Sequence, residues 1–294
     1  HFSGADEDKR IANLIYRNSA EYATGHNCAA NWEIASDGRC LSVSSTSCPT
    51  EEVKPVSATG DEIFAAEIVK TSIGSLSATR ISENKFEAIE ACTAIRKAYE
   101  IWIFKQEQKI DHLQQEHKAQ AIENMEKCKF ALDRIANGIK YLEENADAMK
   151  AFMLANMAMR IQKNWSDGRV DWKDPSDSDL LWRPFQLAFA VMCIPSSSER
   201  THFEREIFDL IWFPTGGGKT EAYLLLSAYV MILRRIRYED VEADGVSVMM
   251  RYTLRTLTIQ QYKRAAALIT ACEVLRSTEY TSLLGQKRFS LGLW

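Results

Sequence analysis

The sequence lacks both an apolar stretch long enough to span a bilayer and an N-terminal signal peptide. A membrane-spanning helix needs about 20 consecutive apolar residues, and a secreted protein carries a basic start followed by an apolar region. Neither pattern is present, so no membrane partner is expected. The predicted location is the cytoplasm.

Paired cysteines are also missing, because none of the seven stands in a CxxC pair. They are Cys28, Cys40, Cys48, Cys92, Cys128, Cys193 and Cys272. Several lie inside apolar helical patterns, as reduced core thiols do, so no disulfide framework is predicted. A zinc site at His26, Cys28, Cys40 and Cys48 stays open as an alternative. Structural zinc sites usually pair their ligands at short spacing, which favours buried small side chains here.

Neither sign of charge dominates, since 36 Lys and Arg face 40 Asp and Glu for a net charge of −4. A protein that coats nucleic acid electrostatically would be strongly basic, so that class is not expected, although a local basic groove is compatible with these numbers. The chain is 46% hydrophobic and 26% charged. This composition predicts an ordinary globular protein with a sizeable core. An initiator methionine is missing as well, and we expect a piece of a longer polypeptide.

Two regions are predicted in the first half. Residues 1–82 mix a short amphipathic start with turn-rich sequence, which predicts short strands and loops, and 42–50 are polar enough for a mobile loop. Residues 83–165 repeat apolar side chains at three- and four-residue steps, which predicts a helical bundle. The charges between these positions favour a solvated face, with a coiled-coil arm or a DNA-contacting helix as the alternative.

The second half predicts an α/β domain. Residues 166–180 are rich in Asp and Ser and predict a linker. Residues 181–294 alternate helices with apolar segments at 208–213 and 246–250. Strands that alternate with helices form a parallel sheet covered on both faces, so we expect that fold class after the linker.

A glycine-rich turn stands between the first predicted strand and the next helix. Phosphates need several donors in a small space, and Gly216, Gly217 and Gly218 offer bare backbone N–H groups at a helix N-terminus. Lys219 would reach the β and γ phosphates, and the Thr220 hydroxyl would ligate Mg²⁺. The alternative is a chance glycine-rich hairpin, but such a turn would not predict an apolar strand before it and an apolar helix after it.

The stretch Pro-Thr-Gly-Gly-Gly-Lys-Thr at 214–220 resembles motif I of superfamily 2 helicases, although Phe213 replaces the first glycine of the generic phosphate loop. The resemblance implies a partial RecA-like P-loop domain, ATP and Mg²⁺ as cofactors, and Lys219 and Thr220 as catalytic residues. The implied nucleotide-binding residues are Arg183, Gln186, Pro214, Thr215, Gly216, Gly217, Gly218, Lys219, Thr220 and Glu221.

Two neighbouring stretches resemble further elements of those motors. Arg-Pro-Phe-Gln at 183–186 resembles the R-x-Y-Q element, whose glutamine amide reads the adenine edge; a helix start with a polar surface glutamine is the alternative. The stretch 248–261 is similar to motif Ia, which holds a nucleic-acid backbone, and this implies contacts from Thr253, Arg255 and Gln260. The proline-threonine pair usual before that arginine is replaced by Thr253-Leu254. An ordinary core helix stays open as the alternative.

A wider resemblance joins these motifs. The segments 212–237 and 251–276, together with 22–33, 99–103 and 155–159, resemble the helicase-subunit family of the DISARM phage-defence systems. This implies an ATP-dependent DNA helicase or translocase that works with a companion DISARM subunit against phage DNA. The first 165 residues would then be accessory elements of the motor.

An acidic Walker B pair is missing downstream of Lys219, yet hydrolysis needs one to hold Mg²⁺ and orient water. We therefore expect the complete polypeptide to be the ATPase and this piece alone to be inactive. Two other hypotheses stay open: a P-loop switch that changes partner binding without translocation, and a helical scaffold with a vestigial loop. The motif Ia-like segment favours the motor.

Overall fold

The computed structural model describes residues 3–18, 22–23, 28–46, 62–169, 171, 180–211, 217–238, 243–251 and 255–292. The chain divides into two compact units. One comprises His1–Val56 and Lys105–Lys127, and the other comprises Ser57–Phe104 and Cys128–Trp294. The domain boundaries predicted at 82, 165 and 180 stay predictions.

The first unit contains helix α1 (Ser3–Ile15) and an antiparallel hairpin of β1 (Ala29–Ile34) and β2 (Cys40–Thr46). Trp32 faces Val43 across the hairpin. The Tyr22 hydroxyl donates to the Gly38 carbonyl at 2.6 Å, and its ring meets Trp32 edge-on. The predicted short strands are therefore confirmed here.

The mobile loop predicted at 42–50 is wrong for its first half, because residues 42–46 belong to β2. Serine and threonine suggested a loop, but Leu41 and Val43 alternate with them, and this two-residue period suits a strand. Ser42 also donates to the Glu33 carboxylate on β1 at 3.1 Å. The remaining residues of that prediction lie outside the described part.

The second unit is built from helices. They are α2 (Glu62–Val69), α3 (Ala78–Glu83), α4 (Lys85–Ile110), α5 (Gln115–Glu144), α6 (Ala146–Ser166), α7 (Pro184–Ser198), a 3₁₀ helix (Phe203–Glu206), α8 (Lys219–Arg237), α9 (Arg255–Thr278) and α10 (Thr281–Leu284). The far end of α4 and the first half of α5 belong to the first unit. The helices predicted over 83–165, and those predicted around 184, 221 and 257, are confirmed.

Helix α6 lies at the centre of the core and packs against α3, α8 and α9. A stripe of alanines at Ala148, Ala151, Ala155 and Ala158 is fully buried. Their three- and four-residue spacing puts these small side chains on one face, where neighbouring backbones can approach closely. The helical region and the region around the glycine-rich turn therefore share one hydrophobic core.

A glycine sets the contact between α5 and α7. A Cβ added to Gly138 would lie 2.0 Å from the Val191 carbonyl oxygen. No side chain fits in that space, so the two helix backbones touch at this point. Helix α7, whose start carries two predicted site residues, is thereby held against α5 at its middle.

Two predicted strands have no strand partner among the described residues. These are 208–211, the described part of 208–213, and 246–250. Their apolar side chains are widely exposed: Phe208 is 89%, Leu210 71% and Val246 78% accessible. Apolar runs need a neighbouring strand before they form a sheet. The parallel sheet and the RecA-like class therefore stay predictions.

Three of the cysteines are core residues, as the helical patterns predicted. Cys92, Cys193 and Cys272 are buried in α4, α7 and α9. Burial raises the pKa of each thiol to about 12. Cys28 is exposed instead, so the buried interpretation is wrong for that residue. His26 and Cys48 lie outside the described residues.

Candidate nucleotide-binding site

The turn before α8 ends in a left-handed glycine. Gly218 has φ 84° and ψ 28° and caps α8, which begins at Lys219. Few residues other than glycine adopt this conformation readily. In any α-helix the first backbone N–H groups lack an acceptor within the helix itself, and the helix dipole makes this end attractive to anions. Gly217–Lys219 thus has the helix-start geometry that a phosphate loop requires.

The start of α7 holds the turn through two side chains. Arg183 Nη1 donates to the Gly217 carbonyl at 2.6 Å, and Gln186 Nε2 donates to the Gly218 carbonyl at 2.7 Å. The Gln186 oxygen accepts the Arg183 backbone N–H at 2.8 Å. Gln186 is buried, so the two bonds that its amide makes are largely shielded from water. The structure thus brings Arg183 and Gln186, two of the residues predicted to bind the nucleotide, to the glycine turn.

The role of Gln186 is wider than the sequence suggested. Its amide shapes the loop through the Gly218 carbonyl, and the interpretation as a polar surface residue is wrong because only 4% of it is exposed. An amide oxygen has a second lone pair and the NH₂ group a second hydrogen. Reading of an adenine edge therefore stays a prediction.

The start of α7 is itself fixed by α6. Trp182 Nε1 donates to Asn156 Oδ1 at 2.8 Å, and Asn156 Nδ2 donates to the Phe152 carbonyl at 2.9 Å. Both residues are buried, so the pair satisfies two polar groups inside the core. Pro184 stands at the first position of α7, where its missing N–H is harmless. Arg183 and Gln186 therefore project from a rigid helix start.

The predicted catalytic residues occupy the first turn of α8. Lys219 is half-buried and Thr220 is buried. The Thr220 and Tyr223 hydroxyls lie 2.9 Å apart. Glu221 Oε1 accepts from Arg264 Nη2, which joins this turn to α9. Pro214, Thr215 and Gly216 lie outside the described residues.

The predicted backbone-gripping residues are placed in part. Thr253 lies outside the described residues, and Arg255 is described only as the first residue of α9. Gln260 is exposed on the second turn of α9. This surface position is compatible with a phosphate contact, which stays a prediction.

Sequence reasoning missed a buried ion network ahead of the turn. Arg134 of α5 donates through Nε to Glu204 at 2.8 Å and through Nη2 to Asp209 Oδ2 at 2.9 Å. Arg134 lowers the pKa of the Asp209 carboxyl against the opposing effect of burial. A signal was available, because a lone acid inside an apolar run needs a cationic partner. Nothing in the sequence says which cation it is.

The comparisons with known proteins support the resemblance stated above. No protein-family model matches the chain. The DISARM protein DrmA of Bacillus paralicheniformis is 33% identical over 305 residues, an alignment that takes in 99% of this chain. The chain spans only 26% of that protein. The resemblance to a DISARM protein is therefore confirmed along the whole chain. None of the described helices has the length and apolar character of a membrane span.

Proposed function

We propose that this relative of the DISARM protein DrmA is the ATP-binding part of a superfamily 2 DNA helicase or translocase that acts in anti-phage defence. The proposal rests on the hydrogen bonds that hold the glycine turn in place. Gly217 and Gly218 lie at the start of α8, and their carbonyls are held by Arg183 and Gln186. A turn held in this way presents the amides of the helix start without further reorganisation.

Each part of the turn is assigned a different contact with the triphosphate or its Mg²⁺ ion. The amides of Gly216–Gly218 and the α8 dipole would hold phosphate oxygens, and Lys219 would place a positive charge at the β and γ phosphates. Thr220 would hold Mg²⁺, which neutralises charge that develops during phosphoryl transfer. Its hydroxyl is already placed by Tyr223. Pro214 and Thr215 would complete the loop.

The first turns of α9 are the proposed DNA contact. Thr253, Arg255 and Gln260 would donate to phosphate oxygens, which positions the backbone without reading sequence. The acidic pair that orients the attacking water is proposed to come from elsewhere in the complete polypeptide. A companion DISARM subunit is the proposed protein partner, on the resemblance alone.

The test is ATP hydrolysis by the complete polypeptide with and without DNA. We expect DNA to stimulate hydrolysis, and Lys219→Ala to reduce the rate by about 100-fold or more because one phosphate donor is lost. Lys140→Met, an exposed change on α5, is the matched control and should leave the rate unchanged. ATP binding without stimulation by DNA would favour the nucleotide switch, and absence of both activities would favour the scaffold.

A further inference from the structure

We infer that the Glu221–Arg264 ion pair couples nucleotide binding at the glycine turn to nucleic-acid binding on α9. The inference rests on the proposed function and adds to it a pair of positioning residues. Neither side chain is assigned to DNA, and the pair lies between the two proposed binding surfaces.

On the nucleotide side, Glu221 directly follows Thr220 in the first turn of α8. Its Oε1 accepts from Arg264, whereas its Oε2 is buried without a hydrogen-bond partner among the described residues. That second oxygen would lie 3.4 Å from a Cβ placed on Gly218. The carboxylate therefore packs against the glycine turn, and a shift of the turn changes its environment directly.

On the nucleic-acid side, Arg264 stands four residues after Gln260 in α9. Residues four apart lie on the same face of a helix, one turn from each other. The Arg264 carbonyl also accepts from Gln162 Nε2 of α6 at 2.6 Å. The backbone of α9 is thus held by α6 at the residue whose side chain reaches α8. A displacement of the first two turns of α9 would therefore reach α8 through the Arg264 side chain.

The exposure of the pair argues for positioning more than for stability. The Arg264 and Glu221 side chains are 36% and 27% accessible. Ion pairs with this degree of exposure contribute little to folding because water screens the charges. The geometry of the bond is nevertheless specific, because it joins the residue after the proposed Mg²⁺ ligand to the proposed DNA-contacting helix.

The experiment measures a coupling factor in the complete polypeptide. The affinity for a non-hydrolysable ATP analogue is measured with and without a DNA that has duplex and single-stranded parts. The affinity for that DNA is then measured with and without the analogue. Linkage requires the two ratios to be equal, which checks each data set internally. Arg264→Met removes the charge and keeps the stem, Arg264→Lys keeps the charge, and Lys263→Met removes a neighbouring exposed charge as the control.

In the wild type we expect a coupling factor within the usual range of about 5- to 150-fold. Arg264→Met should bring it close to one while each separate affinity stays within about threefold, Arg264→Lys should keep part of it, and Lys263→Met should keep all of it. Wild-type coupling in Arg264→Met would overturn the inference, as would a loss of analogue affinity in the absence of DNA. Should Arg264→Met fail to fold, Arg264→Gln, which removes the charge and keeps a polar side chain, gives the same readout, and undiminished coupling there is equally contradictory.

The wild-type measurement separates the two proposals. A wild type that binds both ligands without coupling contradicts this inference alone. A wild type that binds no ATP analogue contradicts the proposed function, and the coupling inference falls with it.

Discussion

Arg134 on α5 forms a bidentate ion pair with Asp209, which lies 75 residues further along the chain. Asp209 belongs to the segment that precedes the glycine turn in the sequence. The same guanidinium also bonds Glu204 of the 3₁₀ helix. Both Arg134 and Glu204 are almost fully buried, at 4% and 3% side-chain exposure. The helical region is thus tied directly to the chain that enters the candidate nucleotide site.

Replacing Arg134 should be strongly destabilising. Arg134→Met leaves the Glu204 carboxylate buried without its cation, which costs about 3–5 kcal/mol. Lys140→Met, on the same helix, breaks only an exposed pair with Glu144 and should cost less than about 1 kcal/mol. The free energy of unfolding in urea measures both. Equal values for the two variants would refute a buried network.

The same network predicts that the free energy of unfolding depends on pH in the acid range. Because the folded pKa of Asp209 lies below its usual value of 3.8, its contribution to stability is present above that value and is lost as the pH falls through the folded pKa. Asp209→Asn removes this carboxylate, so its stability deficit relative to the wild type should shrink between about pH 6 and about pH 3. Unfolding free energies across this range test it, with Glu144→Gln as the exposed control. A constant deficit would contradict the assignment.

Gly218 should not tolerate a side chain. In Gly218→Ala, a Cβ would lie 2.7 Å from Gln186 Nε2 and the residue would have to keep φ 84°. We expect the Gln186 bond to the turn to break and the affinity for ATP to fall by about tenfold or more. Separately, the left-handed backbone should lower the folding stability by roughly 1–2 kcal/mol, as it does for any residue with a side chain in this conformation. Gly168→Ala is the control, since it has φ 79° and no atom within 4 Å of the added Cβ. If Gly218→Ala bound ATP as tightly as the wild type and Gly168→Ala, this would argue against a nucleotide at the turn.

The cysteines should divide sharply in reactivity. Cys28 is exposed, whereas Cys92, Cys193 and Cys272 are buried with pKa values raised to about 12. A thiol reagent reacts with the thiolate, so the three buried residues should stay unmodified in the native protein near pH 8 and react after denaturation. Peptide mass spectrometry after timed labelling measures this. Modification of Cys272 at the rate of Cys28 would contradict the burial of α9.

The helices could be predicted from the sequence because apolar side chains recur at three- and four-residue steps over α4, α5 and α6. The glycine turn and its helix were equally readable, since Gly218 and Lys219 stand where a left-handed cap and a helix start are required. The Arg-Pro-Phe-Gln motif indicated Gln186 as a site residue, but it did not predict the bond from Gln186 to the Gly218 carbonyl.

The rest depended on contacts that local patterns do not carry. Arg134 and Asp209 are far apart in sequence, and so are Glu221 and Arg264 at 43 residues. Pairing between such positions is set by how helices pack, and periodicity specifies only which face is buried. The apolar segments at 208–211 and 246–250 show the same limit. A strand pattern fixes which side chains alternate but not which strand accepts the backbone hydrogen bonds.

Whether a triphosphate lies at the glycine turn is decided by the affinity of the complete polypeptide for Mg²⁺-ATP, measured by calorimetry for the wild type, Lys219→Ala and the control Lys140→Met. We expect the wild type and Lys140→Met to bind alike, and Lys219→Ala to lose about tenfold or more in affinity because the charge at the β and γ phosphates is gone. Equal affinities in all three proteins would show that the triphosphate does not lie at the glycine turn.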